Sequence, residues 1–288
     1  MANGILIVDK PEGWTSQDVV SKLRGVLHEK RVGHGGTLDP MATGVLPVFA
    51  GRATRAVEFF EHAEKAYEAT LLLGTTTDTQ DTTGTVLETR PVTVDEAAVR
   101  ALLPRFTGVQ QQLPPMYSAV KIGGKKLYEL AREGKEIERK PREITVFSAE
   151  LLHFENNSAR LRIHCSKGTY IRTLCHDIGQ ALGCGGCMAA LRRVQAGAYR
   201  LADAVTLDEI LAHPEPQTLL KPVDSLFSAY PRLTLTPAQE KCCRNGAAFT
   251  CKWSAGRCRA YSPSGEFLAL CEVADGKLKT VKSFFEPQ

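Results

Sequence analysis

Apolar positions along the chain recur with two periods. A short apolar run over 4–8 reads as a first strand, followed by turn chemistry at Pro11-Glu12-Gly13 and a capping-box start at Thr15-Ser16-Gln17-Asp18. Val19, Val20, Leu23, Val26 and Leu27 then fall at helical spacing, which predicts an amphipathic helix over 16–28. Residues 53–62 read as a helix, and Tyr67, Ala69, Leu71 and Leu73 alternate as a strand does. Thr93-Val94-Asp95-Glu96 reads as a second capping box, opening a helix through Leu103. Strand-like runs return at 144–154 and 159–165, and a helix follows over 170–182 with Ile171, Leu174, Cys175 and Ile178 on one face. Between 110 and 142 the pattern loosens, around Leu113-Pro114-Pro115 and Gly123-Gly124, into a long, partly mobile insertion with one helix near 127–132. Past about Phe227 the grain changes to short strands around 233, 258–262, 267–273 and 277–285, with one helix beginning Thr236-Pro237. This predicts a domain boundary near 225–232, with a large unit over 1–228 and a compact β-rich unit over 229–288.

Composition narrows the class only slightly. The 288 residues are 43% hydrophobic and 24% charged, with 36 Lys+Arg against 32 Asp+Glu, as in soluble globular proteins. No window approaches the ~18 consecutive apolar residues of a spanning helix. The opening MANGILIVDKPEGW lacks a basic segment before its apolar run and does not read as a signal peptide. Nine cysteines, an odd number in a chain that needs no staples, suggest reduced thiols and a cytoplasmic location. Cys184-Gly-Gly-Cys187 and the pair Cys242-Cys243 invite a zinc reading, but a structural site wants two knuckles and four ligands. They read instead as small buried hydrophobes.

The net charge of +4 conceals an uneven distribution. Eight Lys/Arg against four Glu fall between 121 and 142, and seven Lys/Arg against one Asp between 160 and 200. These nets of +4 and +6 leave −6 for the rest, the pattern a phosphate-binding face would produce. Alternating charge on a solvated helix is the competing reading for the first stretch.

Chemistry concentrates in Gly33-His34-Gly35-Gly36-Thr37-Leu38-Asp39-Pro40-Met41-Ala42-Thr43-Gly44. It matches neither phosphate-cradling loop, G-x-x-x-x-G-K-[ST] or G-x-G-x-x-G. What remains is an acidic residue displayed on irregular backbone, with Pro40 biasing Asp39 toward an extended conformation and glycines that permit close approach.

The segment GHGGTLDPMATGVLP resembles the aspartate signature of the bacterial tRNA pseudouridine(55) synthases, the TruB family. Asp9-Lys10-Pro11-Glu12-Gly13-Trp14-Thr15-Ser16, Lys65-Ala66-Tyr67-Glu68-Ala69, TTTDTQDTTG over 75–84, the insertion over 112–134, CSKGTYIRTLCHDI over 165–178 and Leu191-Arg192-Arg193 resemble its other motifs, in its order. Two departures stand out: Gly35, where threonine is commoner, is expected to add freedom to the loop, and Gly186-Cys187 to retune a contact near Leu191.

The resemblance implies an α+β pseudouridine-synthase core on a mixed, largely antiparallel sheet flanked by helices, followed by a small PUA-like RNA-binding domain. It implies isomerisation of a uridine in the T arm of tRNA, with no cofactor and no metal. Breaking the N1–C1′ bond without releasing the base suits a carboxylate, which can act as a nucleophile and can stabilise positive character at the anomeric carbon. Asp39 is the residue expected in that role, by attack at C1′, attack at C6 or elimination. Arg172 resembles the family's arginine that pairs with the aspartate, and Tyr67 its active-site tyrosine, able to stack on the extruded base. Tyr170 and Leu191 match positions lining the base pocket. His34 matches the histidine that fills the gap left in the RNA when the uridine flips. Lys10 and Asp78 match motif positions open to loop support or chemistry. The insertion over 110–142 and the loop over 33–44 are expected to close over the T arm from opposite sides, in a protein that acts as a monomer without an obligatory protein partner. A tRNA-binding chaperone without catalysis and a guide-RNA-dependent synthase are the alternatives.

Overall fold

The computed structural model describes residues 2–286. In chain order, the first part comprises β1 (Gly4–Lys10), α1 (Ser16–Val26), β2 (Val32–His34), β3 (Thr43–Ala50), α2 (Val57–Phe60), β4 (Lys65–Leu73), β5 (Thr75–Thr77) and β6 (Val86–Thr89). Next come α3 (Glu96–Leu102), β7 (Gly108–Gln112), β8 (Lys121–Ile122), β9 (Lys125–Lys126), α4 (Leu127–Arg132), β10 (Arg142–Glu155) and β11 (Ser158–Cys165). Then follow α5 (Ile171–Ala181), β12 (Gly186–Ala196), β13 (Tyr199–Arg200), β14 (Val205–Thr206) and α6 (Leu207–Ala212). The last segment holds β15 (Arg232–Thr234), α7 (Pro237–Arg244), β16 (Phe249–Thr250), β17 (Gly256–Tyr261), β18 (Phe267–Ala274) and β19 (Lys277–Ser283).

One ten-stranded sheet carries the order β14-β1-β3-β12-β4-β11-β10-β7, with β2 on β3 and β13 on β12. Only β1–β14 and β3–β12 pair in parallel, so the sheet is mixed and largely antiparallel, as expected. The alternation of β4 buries Tyr67, Ala69 and Leu71 with Leu161 and Ile163 of β11, in one core with Val19, Val20 and Leu23 of α1 and Leu174 and Ile178 of α5. On the other face, Ile5, Ile7, Val45 and Phe49 pack with Phe60, Tyr199 and Phe227, and with Leu270 of the second sheet and Phe284 just after its last strand. That second sheet, β15-β17-β18-β19-β16, has its own core of Leu235, Cys243, Cys258, Leu268, Cys271 and Leu278.

The capping box at Thr15 is present, with Asp18 N and the Thr15 side chain bonded at 3.0 Å. The second expected box shifts: α3 begins at Glu96, and Asp95, not Thr93, caps it by accepting from Ala98 N at 2.9 Å. Residues 51–60 form a 3-10 segment and a single α-turn in place of one continuous helix. The insertion carries its helix at Leu127–Arg132 and adds a small hairpin, β8–β9. All nine cysteines are free thiols, and among the described residues no three His, Cys, Asp or Glu side chains are grouped to hold a metal ion. No helix among the described residues is long and apolar enough to cross a membrane.

Candidate active site

The loop between β2 and β3 has no ladder of its own, so its buried main-chain groups must find partners elsewhere. Several residues from 35 to 42 are tied to neighbouring elements. Gly35 N donates to Pro47 O at 2.8 Å, and Gly36 O accepts from Arg193 Nη2 at 3.1 Å. Ser16 Oγ of α1 accepts from Leu38 N at 2.9 Å and donates to Leu38 O at 3.2 Å. Asp39 O accepts from Ala42 N at 3.0 Å, and Pro40 O from Gly13 N at 2.8 Å and Lys10 Nζ at 3.2 Å. The loop is thereby anchored to β1, α1, β3 and β12, and the Asp39 side chain is what it leaves partly open, 37% exposed.

Gly35 does not loosen this loop. A Cβ there would lie 2.5 Å from Phe60 Cδ1 and 3.0 Å from Phe49 Cε2, so the missing side chain makes room for two rings. Similarly, a Cβ on Gly186 would meet Leu71 Cδ1 at 2.7 Å; the departure there serves the packing of β12 on β4. Gly44, at φ +98°, is needed for conformation and space together, because a Cβ would stand 2.2 Å from Arg193 O where β3 joins β12.

Arg172 projects from the first turn of α5 with only 7% of its side chain exposed, and its Nε lies 3.0 Å from Asp39 Oδ2. The rest of its fork is committed: Nη1 donates to Thr79 O at 3.0 Å and Nη2 to Tyr117 O at 2.8 Å. Nη1 is also 3.5 Å from Asp81 Oδ2. Asp81, 6% exposed, is held by Thr79 Oγ1 at 2.8 Å, Thr83 N at 3.0 Å and Thr83 Oγ1 at 2.6 Å. The guanidinium thus stands between two carboxylates, and Asp81 is a site residue that sequence reasoning passed over. Asp78, named from the same motif, is exposed and accepts from Thr85 N at 2.7 Å, closing the turn between β5 and β6. The motif holds two aspartates, and only the fold tells which of them turns inward.

Tyr67 points from β4 into the same side, directly across from Arg193 of β12, with Leu191 two residues along on that face. Burial raises the Tyr67 hydroxyl above its ordinary pKa, opposed by the adjacent Arg193 guanidinium. Tyr170 occupies the N-cap position of α5 without a side-chain cap, and the Gln112 side chain clamps its main chain: Tyr170 N donates to Oε1 at 2.8 Å and Nε2 donates to Tyr170 O at 3.0 Å. His34, half-buried at the end of β2, has its pKa lowered by burial and by Arg193, and Nδ1 has no hydrogen-bond partner among the described residues. Lys10 is fully buried and donates to Pro11 O, Trp14 O and Pro40 O at 2.8, 2.6 and 3.2 Å, which ties the end of β1 to the Asp39 loop.

The positive stretch over 160–200 does not present itself as one face. Arg172 and Arg193 are buried beside the aspartate loop. Arg160 and Arg162 pair with Glu68, and Arg192 with Asp9 at 2.6 Å, on the sheet face opposite Tyr67. In the insertion, Glu133 and Glu136 neutralise Lys135 and Arg139 at 2.7 and 2.8 Å.

A family model described as TruB family pseudouridylate synthase (N terminal domain) matches residues 24–171, and one described as tRNA pseudouridylate synthase B C-terminal domain matches 172–228. The chain is 45% identical to tRNA pseudouridine synthase B of Pseudomonas fluorescens (strain Pf0-1), over 96% of this chain and 93% of that one. Against tRNA pseudouridine synthase B of Syntrophomonas wolfei the identity is also 45%, covering 97% and 96%. Among solved structures, a chain of a Cbf5-Nop10-Gar1 complex superposes with TM-score 0.75 at 26% identity, covering 99% of this chain and 86% of that one. A chain of an H/ACA RNP bound to a substrate RNA containing 2'-deoxyuridine has the same TM-score at 23% identity and shares the fold. With an aspartate loop, a buried arginine and a strand tyrosine converging on one face of this sheet, and with relatives this similar along nearly the whole length, the chain belongs to the TruB family of pseudouridylate synthases.

Proposed function

We propose that this chain isomerises uridine to pseudouridine in tRNA, at position 55 of the T arm, acting alone and in the cytoplasm. The observation that carries the reading is the pairing of Asp39 with Arg172 at 3.0 Å beside Tyr67, in a chain 45% identical to two synthases of that name. The reaction is balanced within the substrate: the N1–C1′ bond breaks, the uracil turns, C5 bonds to C1′, the proton on C5 leaves and N1 gains one. No redox partner or energy source enters.

The chain's residues divide this work. Asp39 supplies a carboxylate whose Oδ2 is fixed by Arg172 and whose Oδ1 makes no hydrogen bond among the described residues, so it can meet the anomeric region of a flipped nucleotide. Tyr67 offers a ring for the extruded base and a hydroxyl close to it, while Tyr170 and Leu191 supply the apolar rim. His34, half-buried at the end of β2 where the loop begins, is the side chain assigned to the space in the RNA that the uridine vacates. The unit over 1–228 then holds the chemistry, and that over 229–288 a PUA-like RNA contact. The 110–142 insertion, together with 45% identity to proteins named tRNA pseudouridine synthase B, favours action without a guide RNA. Mapping the modified uridine in tRNA treated with purified protein tests the reading: pseudouridine at position 55 is expected, and modification only outside the T arm overturns the assigned site.

A further inference from the structure

Among the described residues Arg193 is the largest fully buried side chain, 1% exposed, and it forms no ion pair with a carboxylate. A buried charge without a counter-ion is costly unless dipoles replace the lost water. Here the dipoles are main-chain carbonyls: Nε donates to Val45 O at 2.7 Å, Nη2 to Gly36 O at 3.1 Å, and Nη1 reaches Thr37 O at 3.5 Å. Two of the three carbonyls lie within three residues of Asp39, and the third is on β3, into which the loop runs. The Tyr67 hydroxyl stands against the same guanidinium. A leucine or methionine would fill the space without burying a charge, but would leave those carbonyls without donors. The position also marks an irregularity: β12 shifts register immediately after Arg193, between it and Gln195.

The geometry points to Arg193 as a positioning residue of the reaction: by gripping the carbonyls of Gly36 and Thr37 on one side and facing Tyr67 on the other, it sets the distance between the Asp39 loop and the tyrosine that holds the base. It rests on the function proposed above. Its neighbour Arg192 points to the opposite sheet face, onto Asp9, so the two adjacent arginines have separate tasks. Because the substrate never touches Arg193, its removal acts on turnover and leaves tRNA affinity intact.

Arg193→Lys keeps the charge but cannot reproduce the fork. Gly36→Ala disturbs the same bond from the exposed loop, because Gly36 sits at φ +103°, and leaves the buried cation in place should Arg193→Lys fold poorly. Val99→Ala, a buried position of α3 away from the site, controls for lost stability alone. Single-turnover pseudouridine formation and tRNA binding are measured for all four proteins, together with melting temperature. Expected is a loss of turnover of about tenfold or more in both Arg193→Lys and Gly36→Ala, with tRNA affinity within about threefold of the parent and Val99→Ala within about twofold in both. Turnover unchanged in a folded Arg193→Lys and in Gly36→Ala overturns the inference, as does an equal loss in Val99→Ala or a loss explained by weaker tRNA binding. A parent chain that forms no pseudouridine overturns the functional reading and the inference together.

Discussion

Arg172 holds Asp39 Oδ2 at 3.0 Å through Nε alone, while its two terminal nitrogens are spent on the carbonyls of Thr79 and Tyr117. The ion pair is thereby built into the main chain of two other segments, one of them the 110–142 insertion. With both terminal nitrogens committed to main-chain carbonyls, the aspartate meets the buried guanidinium at its Nε.

Arg172→Lys should therefore fail in spite of its conserved charge. An ammonium on a flexible stem cannot serve Asp39, Thr79 O and Tyr117 O together. Turnover is expected to fall by about a hundredfold or more, and stability by about 1–3 kcal/mol for acceptors left unpaired. Single-turnover assays and urea unfolding check both.

The two aspartates of the 75–84 motif should separate cleanly. Asp81→Asn weakens the inner support of Arg172, and turnover is expected to drop by about tenfold or more. Asp78→Asn touches only the exposed turn at Thr85 N, and turnover should stay within about twofold. Parallel kinetics on the two variants decide which carboxylate serves the arginine.

The gap between what was legible in the sequence and what was not follows the same physics. Strands with a clean two-residue period, such as β4 and β11, and amphipathic helices such as α1 and α5, are visible because one face is apolar and the other is not. β12, central in the sheet, escaped notice because Leu191-Arg192-Arg193 carries adjacent arginines on opposite faces, one paired at the surface and one buried, which hides the alternation. The Asp39 loop was legible through resemblance, but its anchoring was not: its partners at Ser16, Lys10 and Arg193 lie 22, 30 and 157 residues away in sequence. The exchange of Asp78 for Asp81 at the site, and of loosening for close packing at Gly35, have the same origin.

Lys10 offers a test by pH. Burial pushes its amine down to about 8 from the usual 10.5, with Asp39 acting in the opposite direction. Between pH 8 and 10.5 the unfolded chain then binds the proton more readily than the folded one, so the contribution of Lys10 to stability rises with pH across that window. Relative to Lys10→Met, the parent should gain on the order of 3 kcal/mol between those limits. Urea unfolding at pH 7.5, 9 and 10.5 reads the difference, and a difference that shrinks with pH would mean that the amine is not desolvated.

The central claim is that the Asp39 carboxylate performs the chemistry while the surrounding scaffold holds the RNA. Asp39→Asn keeps the size of the side chain and the backbone ties at Ala42 N, and removes the nucleophilic charge. Measured together on tRNA, pseudouridine formation should be abolished and affinity should stay within about tenfold, a window of ~1.4 kcal/mol. Turnover comparable to that of the parent would contradict the account.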